Sequence, residues 1–113
     1  MFRNIDQKYI DQYFEDDRGD LRVKDSVKNM VEFKFTNTVN SEAMEQLGYF
    51  DVVICRNLFT DFSQKGSEKM ADNIYNILVP GGAMLISSKE SLYNVTKAFK
   101  LQSYDKVVAY RKL

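Results

Sequence analysis

The chain has 113 residues, 44% hydrophobic and 13% aromatic, and its sixteen basic residues balance sixteen acidic ones. A chain of that length buries roughly two thirds of the surface its unfolded form exposes, so a single domain with a real core is expected without a metal or disulfide staple. Zero net charge provides no field for nucleic acid or an anionic membrane surface, and a lone Cys55 with no histidine leaves no internal disulfide, zinc ligand set or Cys-His pair.

Asn4 with Gln7 three residues on makes a capping box, and Ile5, Tyr9 and Tyr13 follow at helical spacing, which predicts a short amphipathic helix to about Phe14. The polar run from Glu15 to Asp20 then reads as a solvated turn. Its acidic spacing lacks the distal glutamate of a calcium loop. Leu21 to Lys24 alternates, Asp25 caps one helical turn through Met30, and Val31-Glu32-Phe33-Lys34-Phe35 alternates as a strand with one wet face. This front third is expected to be a small antiparallel unit, with the domain dividing at about residues 36 and 37.

Ser41 opens a short helix that ends before Gly48, and Tyr49 to Cys55 reads as a nearly continuous apolar strand, buried on both faces. Ser63 is a candidate cap for a helix whose Met70, Ile74, Ile77 and Leu78 share one face, and Pro80-Gly81-Gly82 leads into a strand from Ala83 to Ser87. The order is that of a parallel βαβ unit, the back half of an open α/β nucleotide-type fold. Leu92, Val95 and Phe99 mark a further helix, and two last strands, Lys100 to Gln102 and Lys106 to Arg111, flank a turn at 103–105. The first six residues are too polar for a signal peptide, and no apolar run approaches the roughly 20 residues that span a bilayer. A cytoplasmic protein without membrane insertion is expected.

Phe50-Asp51-Val52-Val53-Ile54-Cys55-Arg56-Asn57, Leu78-Val79-Pro80-Gly81-Gly82 and Ser88-Lys89-Glu90-Ser91-Leu92, in that order, resemble the C-terminal part of the CheR-type chemoreceptor methyltransferases. That family moves a methyl group from S-adenosylmethionine to receptor glutamates. The first segment is the most specific, close to a family pattern F-D-V-I-x-C-R-N. Tyr13-Phe14, Arg22-Val23 and Val31 to Asn37 fall in the family's order too, so the resemblance runs along nearly the whole chain. It implies a truncated Rossmann-like methyltransferase sheet, a βαβ unit plus C-terminal antiparallel strands, preceded by a small antiparallel β unit.

The resemblance also implies site residues. Arg56 and Asn57 match a pair that lies against the cofactor, at the carboxyl edge where open α/β sheets place their ligands. The alternative is that they serve the strand-to-helix turn. Asn37 and Thr38 match a segment that contacts the adenine end, although Thr38 stands where the family usually has leucine and a plain loop asparagine is the alternative reading of Asn37. Asp61 occupies the position of a family tyrosine beside the methyl-transfer centre, where an anion would repel a substrate carboxylate. Ser88-Lys89-Glu90 stands where the family usually reads His-Ser-Glu. No catalytic residue and no metal ligand is assigned, and Cys55 reads as a small core residue.

The five glycines, Gly19, Gly48, Gly66, Gly81 and Gly82, form no glycine-rich phosphate or cofactor loop. Without that loop and the acidic residue that grips the ribose, cofactor affinity falls by about two to four decades. S-adenosylmethionine binding by the chain alone is expected to be weak or absent, and with it catalysis. In the family's sheet two further strands lie between Val31–Phe35 and Tyr49–Cys55. Without them the Val52–Cys55 edge is expected to form a homodimer or pair with Val31–Phe35. A complementary N-terminal half is one expected partner, and a chemoreceptor tail that adds a strand near Leu21–Lys24 is another.

Overall fold

The computed structural model describes residues 5–87, 90–104 and 107–113. They form two compact units that divide between Phe35 and Thr36.

In the first unit, helix α1 (Gln7–Tyr13) runs directly into strand β1 (Phe14–Asp17), which pairs antiparallel with β2 (Asp20–Val23). Arg18 and Gly19 between them have φ of 55° and 90°. Left-handed backbone at both positions is what a two-residue hairpin needs to match the strand twist. The Gly19 N–H donates to Asp16 Oδ1 at 3.1 Å, and Arg22 pairs with Glu15 directly across the ladder. Asp6 stands at the N-cap of α1, and the predicted capping residue Asn4 lies outside the described residues. A single helical turn, α2 (Asp25–Lys28), follows.

The strand expected at 31–35 does not form. Its alternation puts Val31, Phe33 and Phe35 on one side, yet these are 53%, 93% and 107% exposed. A strand is stabilised by backbone partners and a covered face, and among the described residues this segment pairs with no other strand.

The second unit begins with helix α3 (Ser41–Glu45), capped by Asn40, whose Oδ1 accepts from the Ala43 N–H. Strand β3 (Phe50–Ile54) follows, then a 3₁₀ turn (Phe59–Asp61) and helix α4 (Gln64–Ile77). Strand β4 (Leu78–Leu85) pairs parallel with β3, completing the expected βαβ unit. The last strands, β5 (Lys100–Tyr104) and β6 (Val107–Arg111), form an antiparallel pair, and β6 also pairs antiparallel with β4. The sheet order is β3-β4-β6-β5, so β3 is an edge. This is a mixed sheet of the kind a truncated methyltransferase fold would contain. Ser103 and Tyr104 extend β5 where a turn was expected, and Asp105 and Lys106 lie outside the described residues.

Helix α4 starts where Ser63 Oγ accepts from the Gly66 N–H at 3.1 Å. It buries Met70, Ile74 and Ile77 at helical spacing against the sheet, together with Met44, Phe59, Leu78, Met84 and Leu92. It ends before Pro80, since the residue before a proline avoids helical backbone, and Lys112 Nζ donates to the carbonyls of Tyr75 and Leu78. A Cβ on Gly82 would come within 2.8 Å of the Val79 carbonyl and 3.0 Å of that of Asp51. Glycine thus permits the close passage of β4 beside the register shift between Phe50 and Val52.

Two expectations are corrected in this unit. The segment with Leu92, Val95 and Phe99 is not a helix. Leu92 is fully buried, but the backbone makes one turn only, from the Leu92 carbonyl to the Val95 and Thr96 N–H groups. Ser91 Oγ and Thr96 Oγ1 accept from the N–H groups two residues on and so compete with helical bonding. Strand β3 is not buried on both faces either. Val53 and Cys55 point to the helix-covered side, whereas Val52 is 52% and Ile54 69% exposed. The reason is its place in the sheet: among the described residues β4 is the one strand beside it, and α4 covers one face.

Candidate functional site

The carboxyl ends of β3 and β4 lie side by side because the two strands are parallel. The Cys55 N–H donates to the Leu85 carbonyl at 2.8 Å, which carries the pairing one residue past β3. The next two residues, Arg56 and Asn57, leave the sheet. Asn57 has φ of 61°, the left-handed region that asparagine tolerates better than most side chains.

The turn is fastened from 33 residues away. Glu90 Oε1 accepts from the Asn57 N–H at 2.5 Å, from the Ser87 N–H at 3.2 Å and from Ser87 Oγ at 2.9 Å. Its Oε2 accepts from the Phe59 N–H at 3.1 Å. Partial burial pushes the Glu90 carboxyl up, but the hydrogen bonds from Asn57, Ser87 and Phe59 outweigh it and hold the group below its ordinary value. Cys55 behind this cluster is pushed up to about 11, first by burial and then by the Glu90 charge. A thiol that stays protonated is no nucleophile at neutral pH.

Two concavities are lined in part by β3. A crevice of about 400 Å³ is lined by Ile54, Arg56, Leu85, Ser87, Glu90 and Tyr110, among others. A second, mostly apolar hollow of about 310 Å³ runs along β3, shares Ile54 with the crevice, and includes Thr36, Thr38, Met44, Leu47, Phe50 and Cys55. Of the four residues that sequence reasoning singles out, Arg56 lines the first and Thr38 the second. Asn57 contributes its backbone N–H to the Glu90 cluster. Asn37 is exposed and accepts from the Val39 N–H through its side chain, an ordinary turn contact, and the Thr38 carbonyl is held by Asn73 Nδ2 at 2.9 Å. The four are not gathered into one cavity.

The apolar hollow has Thr38 on its wall. None of the residues lining it carries a carboxylate that could accept ribose hydroxyls. Asp61 ends the 3₁₀ turn beyond Asn57 and is exposed, and Ser88 and Lys89 lie outside the described residues. Among the described residues no group of three or more acidic, cysteine or histidine side chains is placed to hold a metal, and no helix is long and apolar enough to cross a membrane. The residue that sequence reasoning passed over is Glu90. It stood in a matched segment, but its role depends on a contact between residues more than thirty positions apart.

Residues 1–108 match the family model described as the SAM-binding domain of CheR methyltransferase. A chemotaxis protein methyltransferase of Vibrio parahaemolyticus is 34% identical over 100 residues, which is 87% of this chain and 36% of that protein. Chemotaxis protein methyltransferase 1 of Pseudomonas aeruginosa is 31% identical over 113 residues, covering 98% of this chain and 40% of its own length. The chain thus spans little more than a third of the length of the curated relatives it matches.

Proposed function

Because the chain belongs to the CheR methyltransferase family, we propose that it supplies the carboxyl-end portion of an S-adenosylmethionine site for methyl transfer to chemoreceptor glutamates. Catalysis then requires a complementary N-terminal segment that brings the glycine-rich loop, and the assembled protein works in the cytoplasm. Holding the cofactor and the acceptor carboxylate in near-attack geometry is the main service such a reaction needs, on the order of 7 to 11 kcal/mol. In this reading Arg56 and the Asn57 turn face the cofactor, and Asn37 and Thr38 bound its adenine end.

The observation that carries the reading is the state of β3. It is an apolar strand, paired in parallel on one side, with no partner among the described residues on the other and with Val52 and Ile54 exposed. Parallel strands are ordinarily covered on both faces, and a free apolar edge recruits further strands.

The test is a calorimetric titration with S-adenosylhomocysteine. The chain alone should show no saturable binding at millimolar ligand. With the N-terminal segment of the V. parahaemolyticus relative added, micromolar binding should appear and should be lost in Arg56→Ala. Micromolar binding by the chain alone would overturn the need for a second segment, and no binding in the mixture would overturn the cofactor reading.

A second reading is a binding module without catalysis. Among the described residues no strand pairs with the outer edges of the two-stranded β1-β2 sheet, to which a receptor tail could add a strand, and two copies could pair along β3 as a homodimer. A dimer in solution that dissociates in Ile54→Lys, with no response to the added N-terminal segment, would favour it.

A further inference from the structure

We propose that Glu90 is the positioning residue of the Arg56–Asn57 turn: its carboxylate ties the carboxyl ends of β3 and β4 together and holds Asn57 in the left-handed conformation that places Arg56 on the crevice wall. The inference rests on the reading above only for its consequence in cofactor binding. The clamp itself is a property of the free chain.

Both carboxylate oxygens are used, and every partner is a donor: three N–H groups and one hydroxyl, at 2.5 to 3.2 Å. Such a set suits an ionised carboxylate, which accepts on all of its lone pairs and donates nothing. A glutamine would turn an amide NH₂ toward at least one of these donors, and a protonated glutamate would bring a hydroxyl. Charge-assisted bonds of this kind are about twice as strong as neutral ones.

The donors come from two places in the chain. Asn57 and Phe59 follow β3, Ser87 follows β4, and the acceptor lies beyond both. Without the acceptor, the Asn57 and Phe59 N–H groups would lose the partner that compensates for a backbone most residues avoid. Arg56 itself makes no ion pair among the described residues, so no counter-charge holds its guanidinium and the turn sets where its backbone leaves the sheet. The other titratable or charged groups at the cluster are the Cys55 thiol behind it and Arg56 and Tyr110 on the crevice wall.

Amide-resolved NMR of the whole chain between neutral and acid pH tests the proposal. The Asn57, Phe59 and Ser87 amides should move together with the Glu90 carboxyl, at one midpoint below the ordinary glutamate value. The Asn57 backbone coupling should leave its left-handed value at that same midpoint. In Glu90→Gln at neutral pH, hydrogen exchange at Asn57 and Phe59 should accelerate on the order of tenfold or more, with Ile74 and Ala71 in α4 unchanged. A merely structural role would accelerate α4 equally, and that result would overturn the proposal. So would an Asn57 coupling that stays constant through the titration. If Glu90→Gln does not fold, the wild-type titration decides alone. A wild-type mixture that binds no S-adenosylhomocysteine while the three amides still titrate together would remove the cofactor reading and leave the clamp standing.

Discussion

Strands β3 and β4 are made of the same kind of residue and lie side by side in parallel, yet they end in different states. On the helix-covered face Met84 of β4 is fully buried while its neighbour Val53 of β3 is only partly buried. On the other face Ala83 and Leu85 are partly buried while their neighbours Val52 and Ile54 are about half and two thirds exposed. The difference lies in their neighbours. β4 has β3 on one side and β6 on the other, whereas β3 has a partner among the described residues on one side only. Apolar composition makes a strand suited to burial, but burial itself is conferred by the elements around it.

Substitution can sharpen that contrast. Met84→Ala opens a cavity in a closed core and should cost about 2 to 5 kcal/mol in a denaturant titration. Ile54→Ala on the open side of the adjacent strand should stay within about 0.5 kcal/mol. A comparable loss at both positions would mean that β3 is covered in solution, by a second copy or another chain.

The turn at the end of β3 supplies the next effect. Asn57→Ala forces a side chain with no left-handed preference into φ of 61° and should cost about 1 to 2 kcal/mol, whereas Asn57→Gly should keep the stability nearly unchanged. Equal losses in the two variants would place the Asn57 side chain, rather than its backbone, at the centre of the turn.

The smallest effect is the pH dependence of the Glu90 contacts. Because the folded carboxyl is held below its ordinary value of 4.5, its contribution is fully present above that value and is lost as pH falls through the lower folded one. The difference in urea midpoint between the wild type and Glu90→Gln should therefore be constant near neutrality and shrink in acid. A difference that grows as pH falls would reverse the sign of the argument.

Much of this architecture could be anticipated from local pattern. The Tyr49–Cys55 run, the Ser63 cap, the Met70, Ile74 and Ile77 stripe and the Pro80-Gly81-Gly82 break together placed the βαβ unit, because each is encoded within a few residues. What failed had a distant cause in one segment and a local one in another. Val31 to Phe35 has the alternation of a strand but no pairing strand among the described residues, and Leu92, Val95 and Phe99 have helical spacing in a segment where Ser91 and Thr96 bond their own backbone. Arg56 and Asn57 were visible as a motif at a strand end, while the Glu90 clamp exists only once β3 and β4 are side by side, and no local pattern announces the separation of Thr38 from Arg56 into different concavities.

The central claim, that β3 awaits further strands, is tested most directly by hydrogen exchange along its free edge. The Cys55 N–H points toward β4, so in a parallel ladder the Val52 and Ile54 N–H groups point outward. In the chain alone these two amides should exchange fast while that of Cys55 is protected, and adding the N-terminal segment of the V. parahaemolyticus relative should slow both. Protection of Val52 and Ile54 before anything is added, or fast exchange that persists after saturation with that segment, would contradict the account.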